Sequence, residues 1–290
     1  MPVHHKDFDF PFLGPEGFMP IRCRQWGDDG NPRVVICVHG LSRNRLDFDE
    51  LGQSLGAEYR VLAPDMPGRG GSGWLADKSG YTHALYRRVC ATLIALSGAR
   101  ELLWVGTSMG GIIGMSLAAE IGSPIVALVM NDIGPHVPAE GRRDNQASFG
   151  TDPRFADFDE AVAWHKANRP GFGPQSEAGW RQMTEASIRE LDNGTLGLHY
   201  DPGLAVNSKR EPVQSTVMWD SWQRITCPVM TIWGTASKLL LADDLERMQA
   251  EGPGTEVLPV EGVGHAPSIS GPAIIGGIAD FLGRHRPAQE

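Results

Sequence analysis

The chain has 290 residues, of which 41% are hydrophobic and 21% are charged, a length that fits two ordinary domains or one large one. Its 35 acidic residues outnumber its 26 basic ones, and the formal net charge of -9 argues against a nucleic-acid partner, because binding to phosphate backbones needs clustered cations. The four cysteines form no CxxC pair and no zinc-type spacing with histidine, so the sequence predicts a reduced, cytoplasmic protein without a metal site.

Short apolar strands alternate with helices in the first half of the chain. Strands are predicted at 33–38, 59–63, 102–105 and 125–130, with a helix at 81–96. After residue 134 the alternation stops, and helical patterns at 158–167 and 177–191 indicate an inserted segment. It resumes with strands at 229–233 and 257–260, a helical stretch at 243–251 between them, and a last helix that ends near 282.

This order of elements predicts an α/β fold, with a mostly parallel central sheet flanked by helices and an inserted helical cap. The predicted division is a first core part at 1–133, the cap at 134–216 and a second core part at 217–290.

The uncharged run from Leu102 to Ala119 reaches the lower length limit for a membrane span. However, its centre reads GTSMGG, and such glycine density suits a strand that turns sharply into a helix, so we expect no membrane segment. The acidic N-terminal sequence also lacks the features of a signal peptide.

The G-x-S-x-G motif at 106–110 lies between a predicted strand and a predicted helix, which is the context that this motif requires. Glycines on both sides remove the Cβ atoms that would collide in the turn, so the Ser108 hydroxyl is expected to project from the carboxyl edge of the sheet. His265 follows the last strand, on a loop that should reach the same edge. The backbone N–H groups of Leu41 and Met109 are predicted to form an oxyanion hole.

Four motifs in this order resemble the α/β-hydrolase family, in particular its capped esterase and amidase-type members. They are the His-Gly pair at 39–40, the P-D-x-x-G-x-G-x-S segment at 64–72, the serine motif and the Gly-His pair at 264–265. The resemblance implies a triad of serine, acid and histidine, and architectural roles for His39 and Asp65. None of the nine histidines stands in a zinc-type cluster, so no metal and no organic cofactor is predicted.

The acid of the triad departs from the family's commoner pattern. Most members carry it three or four residues beyond the glycine that here is residue 234, where this chain reads TASK. Asp132 stands at the carboxyl end of the preceding strand, which is a second arrangement in the family, and we expect it to accept a hydrogen bond from His265. The alternative is that Asp132 only caps the turn into the insertion. Asp243 and Asp244 are expected to be N-terminal helix acids on a solvated face.

The sequence therefore predicts a serine hydrolase that cleaves a small-molecule ester, lactone or amide through an acyl-enzyme on Ser108, with His265 as base and Asp132 as acid. Two alternatives stay open. One is a carbon–carbon bond hydrolase of the ring-cleavage-product type, which the lack of Gly-Pro-Gly after His-Gly disfavours. The other is a ligand-binding receptor with little turnover on the same fold. The sequence does not specify the substrate or the oligomeric state.

The predicted cap lies over the serine and shapes the substrate pocket. We single out Arg43, Trp164 and Trp222 as substrate-binding candidates. Arg45 and the cap arginines are further candidates to pair a substrate carboxylate, although a solvated surface role is the ordinary expectation for any one of them. These cap arginines are Arg142, Arg143, Arg154, Arg169 and Arg181. The cap aromatic residues, expected mainly to form the cap's own core, are Phe149, Phe155, Phe158, Trp164, Phe172 and Trp180.

Overall fold

The computed structural model describes residues 3–169, 176–210 and 212–285. Within these residues the strands are β1 (His5–Gly14), β2 (Gly17–Trp26), β3 (Val34–Val38), β4 (Arg60–Pro64), β5 (Leu102–Thr107), β6 (Ile125–Asn131), β7 (His136–Val137), β8 (Arg154–Phe155), β9 (Ile188–Glu190), β10 (Leu196–Leu198), β11 (Thr216–Val217), β12 (Val229–Gly234) and β13 (Glu256–Val260). The α-helices are α1 (Asp49–Leu55), α2 (His83–Ser97), α3 (Met109–Ala118), α4 (Ala139–Ser148), α5 (Phe158–Asn168), α6 (Glu177–Ser187), α7 (Val206–Arg210), α8 (Trp219–Arg224), α9 (Ala242–Ala250) and α10 (Pro272–Arg284).

The central sheet has the strand order β1-β2-β4-β3-β5-β6-β12-β13. From β4 to β13 every neighbouring pair is parallel, which confirms the predicted α/β fold with a mostly parallel sheet. All of β3 and nearly all of β5 and β6 are buried, since helices cover both faces. This burial explains why those strands read as continuous apolar runs in the sequence.

The amino-terminal hairpin of β1 and β2 is absent from the predicted elements. It pairs antiparallel with the sheet through β4. Its inward side chains, such as Phe10 and Ile21, are buried, while Asp9 lies opposite Arg22 on the outer face. Because Asp7, Asp9, Arg22 and Arg24 interrupt the apolar residues, the hairpin lacks the apolar run by which the other strands were predicted.

The segment between β6 and β12 contains short elements that form two small sheets of their own, β8-β10-β9 and β11-β7. The helix predicted at 177–191 ends earlier, at Ser187, because Ile188 adopts an extended conformation and pairs with Leu198 of β10. The cap boundaries at 134 and 216 stay a prediction. The segment contacts the core through specific bonds, among them one from the Asn44 amide to the Ala186 carbonyl.

The apolar run at 102–119 folds as β5 followed by α3. No helix in the described part of the chain is long and apolar enough to cross a membrane. The run instead forms the centre of the sheet and the helix that packs against it, with Ser108 at the turn between them.

Candidate active site

Ser108 lies in the sharp turn between β5 and α3. Its φ of 51° falls in the left-handed region, where a residue other than glycine is strained by about 1–3 kcal/mol. A Cβ atom added to Gly106 would lie 2.3 Å from the Gly110 carbonyl carbon, and one added to Gly110 would lie 1.9 Å from the Val38 carbonyl oxygen. Both glycines of the motif are therefore required by close backbone approach, and the turn places Ser108 in the wall of a cavity.

A continuous chain of hydrogen bonds joins Ser108, His265 and Asp132. His265 Nε2 lies 2.8 Å from Ser108 Oγ, and His265 Nδ1 lies 2.8 Å from Asp132 Oδ2. An ionised carboxylate only accepts, so Nδ1–H donates to Asp132 and leaves Nε2 to accept from the serine hydroxyl. The structure thus brings together the three predicted residues, although they come from the ends of different strands.

The Asp132 carboxylate is fully buried and is surrounded by donors. Its Oδ1 accepts from the Gly234 N–H at 2.8 Å, and its Oδ2 accepts from the Ser237 hydroxyl at 2.6 Å. The Ser237 oxygen itself accepts from the N–H groups of Leu239 and Leu240 at 3.1 and 3.3 Å, which directs its single hydrogen to Asp132. Sequence reasoning missed Ser237, which stands near the position where the resemblance places the acid in most members and here contacts Asp132.

The loop that carries His265 is fixed to the end of β6 by Asn131. This side chain is fully buried, and its amide donates to the Pro267 carbonyl at 2.8 Å and to the Thr107 hydroxyl at 3.2 Å. One amide therefore connects the histidine loop with the strand that precedes Ser108. Such supporting bonds hold a catalytic geometry in place.

The two predicted oxyanion donors lie close to Ser108. Leu41 lines the same cavity, and Met109 is the first residue of α3, so its N–H has no acceptor within the helix. Arg69, which is fully buried, connects the two residues: its Nε donates to the Leu41 carbonyl at 2.8 Å, and its Nη2 lies 3.7 Å from Met109 Sδ. Sequence reasoning missed Arg69, whose only signal was its place between two glycines of the 64–72 motif.

His39 and Asp65 make structural contacts beneath this loop. His39 Nδ1 donates to the Gly40 carbonyl at 2.7 Å, and its Nε2 accepts from the Met66 N–H at 2.9 Å. Burial lowers the pKa of His39 to about 3, so the ring is neutral. Asp65 accepts from both the backbone and the guanidinium of Arg45. These two side chains hold the loop and do not line the cavity.

A cavity of about 320 Å³ lies over Ser108, between the carboxyl edge of the sheet and the insertion. Leu41, Ser108 and His265 line it from the sheet side, and Phe149 and Arg169 line it from the insertion. The predicted candidate Arg43 also lines it, with its Nε bonded to the Asp47 carboxylate at 3.0 Å.

The structure places the two predicted substrate-binding tryptophans away from the cavity lining. Trp222 is fully buried in the core, where its Nε1 donates to the Glu251 carbonyl at 2.9 Å, so it has no surface to offer a substrate. Trp164 packs against Phe155 at a ring distance of 5.8 Å, and the Arg169 guanidinium lies over its ring at 5.9 Å. Phe172, another predicted cap aromatic, lies outside the described residues.

The acids of α9 lie in its first turn, as predicted, but only Asp243 is on a solvated face, because the Asp244 side chain packs against His136 and is 14% exposed. Asp243 is exposed, and the Asp244 carboxylate lies 2.9 Å from His136 Nδ1, so neither contacts His265. Among residues 3–169, 176–210 and 212–285, no group of three or more histidine, cysteine, aspartate or glutamate side chains is placed to hold a metal ion.

Known proteins resemble this chain over most of its length. The model of the alpha/beta hydrolase family matches residues 35–275. A 3-hydroxybutyrate-oligomer hydrolase from Cupriavidus necator is 37% identical over 271 residues, covering 91% of this chain and 92% of that protein. A 2-(acetamidomethylene)succinate hydrolase from Mesorhizobium japonicum is 24% identical over 258 residues, covering 88% and 90% of the two chains.

A solved structure of an alpha/beta hydrolase also resembles this chain over most of its length. The crystal structure of an alpha/beta hydrolase from Novosphingobium aromaticivorans aligns with a TM-score of 0.87 at 29% identity, covering 96% of this chain and 98% of that one. The strand order, the turn at Ser108 and the matches across the chain agree with one another. The chain therefore belongs to the α/β hydrolase family and is a hydrolase.

Proposed function

We propose that the protein is a serine ester hydrolase in which Ser108 is the nucleophile, His265 the general base and Asp132 the acid that orients the imidazole. The observation that carries this proposal is the unbroken chain of hydrogen bonds among these three side chains at the wall of a cavity. Nucleophile, base and orienting carboxylate are each within hydrogen-bond reach of the next, which is the geometry that acyl transfer needs.

The reaction proceeds in two halves. His265 Nε2 takes the Ser108 proton while Oγ attacks the ester carbonyl, and the N–H groups of Leu41 and Met109 stabilise the oxyanion. The intermediate then collapses, Nε2–H protonates the leaving alkoxide, and an acyl-enzyme remains. In the second half, His265 takes a proton from water, whose oxygen attacks the acyl carbonyl, and Ser108 regains a proton as the acid product leaves.

The similarity to the Cupriavidus necator protein supports an ester as the bond cleaved. That relative is named for hydrolysing 3-hydroxybutyrate oligomers and aligns over nine-tenths of both chains. Linear esters of short hydroxy acids are therefore the first substrates to test, with lactones and amides of matched size in parallel, because the same triad serves all three bonds.

Labelling with a fluorophosphonate tests the nucleophile directly. The native protein should be labelled at Ser108, as located by mass spectrometry, and both Ser108→Ala and His265→Ala should lose the label. Ser268→Ala is the matched control, because this exposed serine follows the His265 loop without contacting the triad. A folded native protein that takes no label and hydrolyses no ester would favour the receptor alternative, whereas turnover of ring-cleavage diketones alone would favour carbon–carbon hydrolysis.

A further inference from the structure

The arginines that the sequence offers as carboxylate partners differ in what already binds them. Most have an acidic or carbonyl acceptor within the protein. Their acceptors are Asp7 and Asp65 for Arg45, Asp47 for Arg43, Asp152 for Arg154, Asp159 for Arg181 and the Gln214 carbonyl for Arg142. These guanidinium groups are therefore neutralised or directed away from a ligand.

Arg169 lines the cavity at the end of α5 and differs from them. Its Nη1 donates to the Ser42 hydroxyl at 2.7 Å, and the Tyr200 hydroxyl also faces it. Its Nε is buried and has no hydrogen-bond partner among the described residues. No described carboxylate forms an ion pair with it, and the sequence at 170–175, which follows it, contains no acidic residue.

The charge of Arg169 is compensated only in part, by the Trp164 ring, which lies 5.9 Å from its guanidinium carbon, and by Tyr200. Burial lowers the pKa of its guanidinium, Tyr200 raises it, and the positive charge of Arg43 lowers it again, with a smaller opposing effect of Asp47. A half-buried charge without a paired carboxylate gains from a ligand that supplies the missing charge and acceptors. A carboxylate is the group that fits, since its two oxygens match the guanidinium fork.

We propose that Arg169 binds a free carboxylate of the substrate, so that this hydrolase selects esters that carry a carboxylate near the bond that is cleaved. The inference rests on the proposed function, because it places the carboxylate in the cavity that holds Ser108. The Ser42 hydroxyl that Arg169 contacts belongs to the residue after Leu41, whose N–H is the proposed oxyanion donor. The bound carboxylate therefore lies beside the carbonyl under attack.

Two pairs of esters separate the charge of the substrate from its shape. The first pair is 3-butyryloxybutanoate and its carboxamide, which place the group on the alcohol side. The second is mono-p-nitrophenyl glutarate and the matching glutaramate ester, which place it on the acyl side. In at least one pair, the native enzyme should hydrolyse the acid with a kcat/KM roughly 10- to 100-fold higher than the amide, as a charge-assisted hydrogen bond provides.

Arg169→Met should reduce that preference, measured as the ratio of kcat/KM for the acid to kcat/KM for the amide within the same variant, to about one. Arg169→Lys keeps the positive charge but cannot form two parallel hydrogen bonds to a carboxylate, so it should retain part of the preference for the acid. Arg181→Met is the matched control: this exposed insertion arginine is paired with Asp159, and its loss should leave the preference intact. Glutarate should also inhibit hydrolysis of the neutral esters by the native enzyme, and inhibit Arg169→Met at least tenfold less strongly.

The outcomes distinguish the two proposals. Equal hydrolysis of acids and amides by the native enzyme, or an unchanged preference in Arg169→Met, would overturn the carboxylate site while the hydrolase proposal stands. Failure of fluorophosphonate to label Ser108 would overturn the proposed serine ester hydrolase mechanism. Thermal melting verifies that Arg169→Met folds, and glutarate binding to Ser108→Ala, measured by calorimetry, tests the site without catalysis: binding supports it and its absence overturns it.

Discussion

The two sides of the cavity differ in how far their charged groups are already paired. On the sheet side, the Asp132 carboxylate accepts from His265, Gly234 and Ser237. On the insertion side, Arg169 has a buried donor without a partner. This contrast fits the two proposals, in which the sheet side holds the groups that react with every substrate and the insertion side receives a carboxylate from the ligand.

The largest effect should come from breaking the sheet side at its carboxylate. Asp132→Asn keeps the size of the side chain but cannot hold the imidazole in the required tautomer, so kcat should fall about 10⁴-fold. Asp243→Asn and Asp244→Asn, on α9, should leave kcat nearly unchanged. Steady-state kinetics on a short-chain ester measures all three, and near-normal turnover by Asp132→Asn would exclude the triad as proposed.

A second test compares one buried histidine from each side of the cavity. Burial lowers the pKa of His39 to about 3 and that of His165 to about 4, below the ordinary value of about 6.5. Between these values the unfolded chain binds protons that the native protein does not. The free energy of unfolding should therefore fall with falling pH, by about 1.4 kcal/mol per pH unit for each histidine.

Urea unfolding between pH 7 and pH 4.5 measures this slope. His39→Gln and His165→Gln should each reduce the slope of unfolding free energy against pH by about 1.4 kcal/mol per pH unit, because each variant lacks one group that takes up a proton on unfolding. The His39 change has the clearer physical cause, because protonation places an N–H against the Met66 N–H that His39 now accepts. A slope that is the same in both variants and in the native protein would mean that neither ring is buried as a neutral group.

The residues on the sheet side were easier to predict, because a short sequence motif and the ends of parallel strands determine where they lie. The turn at Ser108 needs glycines at fixed positions, and parallel strands end at one edge, so Asp132 and His265 were expected near it. The contact of Ser237 with Asp132 was not predicted, because nothing in the local sequence shows that this serine contacts an aspartate 105 positions away. The position therefore looked vacant in the sequence.

The insertion side was less predictable because burial there depends on tertiary packing. Arg169 is one of seven arginines between residues 134 and 216, and only the fold shows which of them lines the cavity. Trp222 is the opposite case: its aromatic character suited a pocket, but packing places it in the core with its ring N–H bonded to Glu251. Composition alone does not separate a core residue from a cavity residue.

A smaller effect is expected at Ser237. Ser237→Ala removes one of the hydrogen bonds that hold the Asp132 carboxylate, and kcat should fall about tenfold with KM unchanged, as expected for a bond to a charged group. Ser237→Thr keeps the hydroxyl and should restore most of the lost kcat. Because a purely structural role would not separate kcat from KM, a parallel rise in KM would contradict a role in positioning Asp132.

The smallest effect is expected at Lys238, the other cation in the cavity lining besides the arginines. It is largely exposed and paired with an exposed carboxylate of Asp144 at 2.7 Å, so water and salt screen its charge. Lys238→Met should change the preference for the acid over the amide by less than about threefold. If it reduced that preference as much as Arg169→Met does, the summed positive potential of the cavity, and not the buried guanidinium, would be what selects the carboxylate.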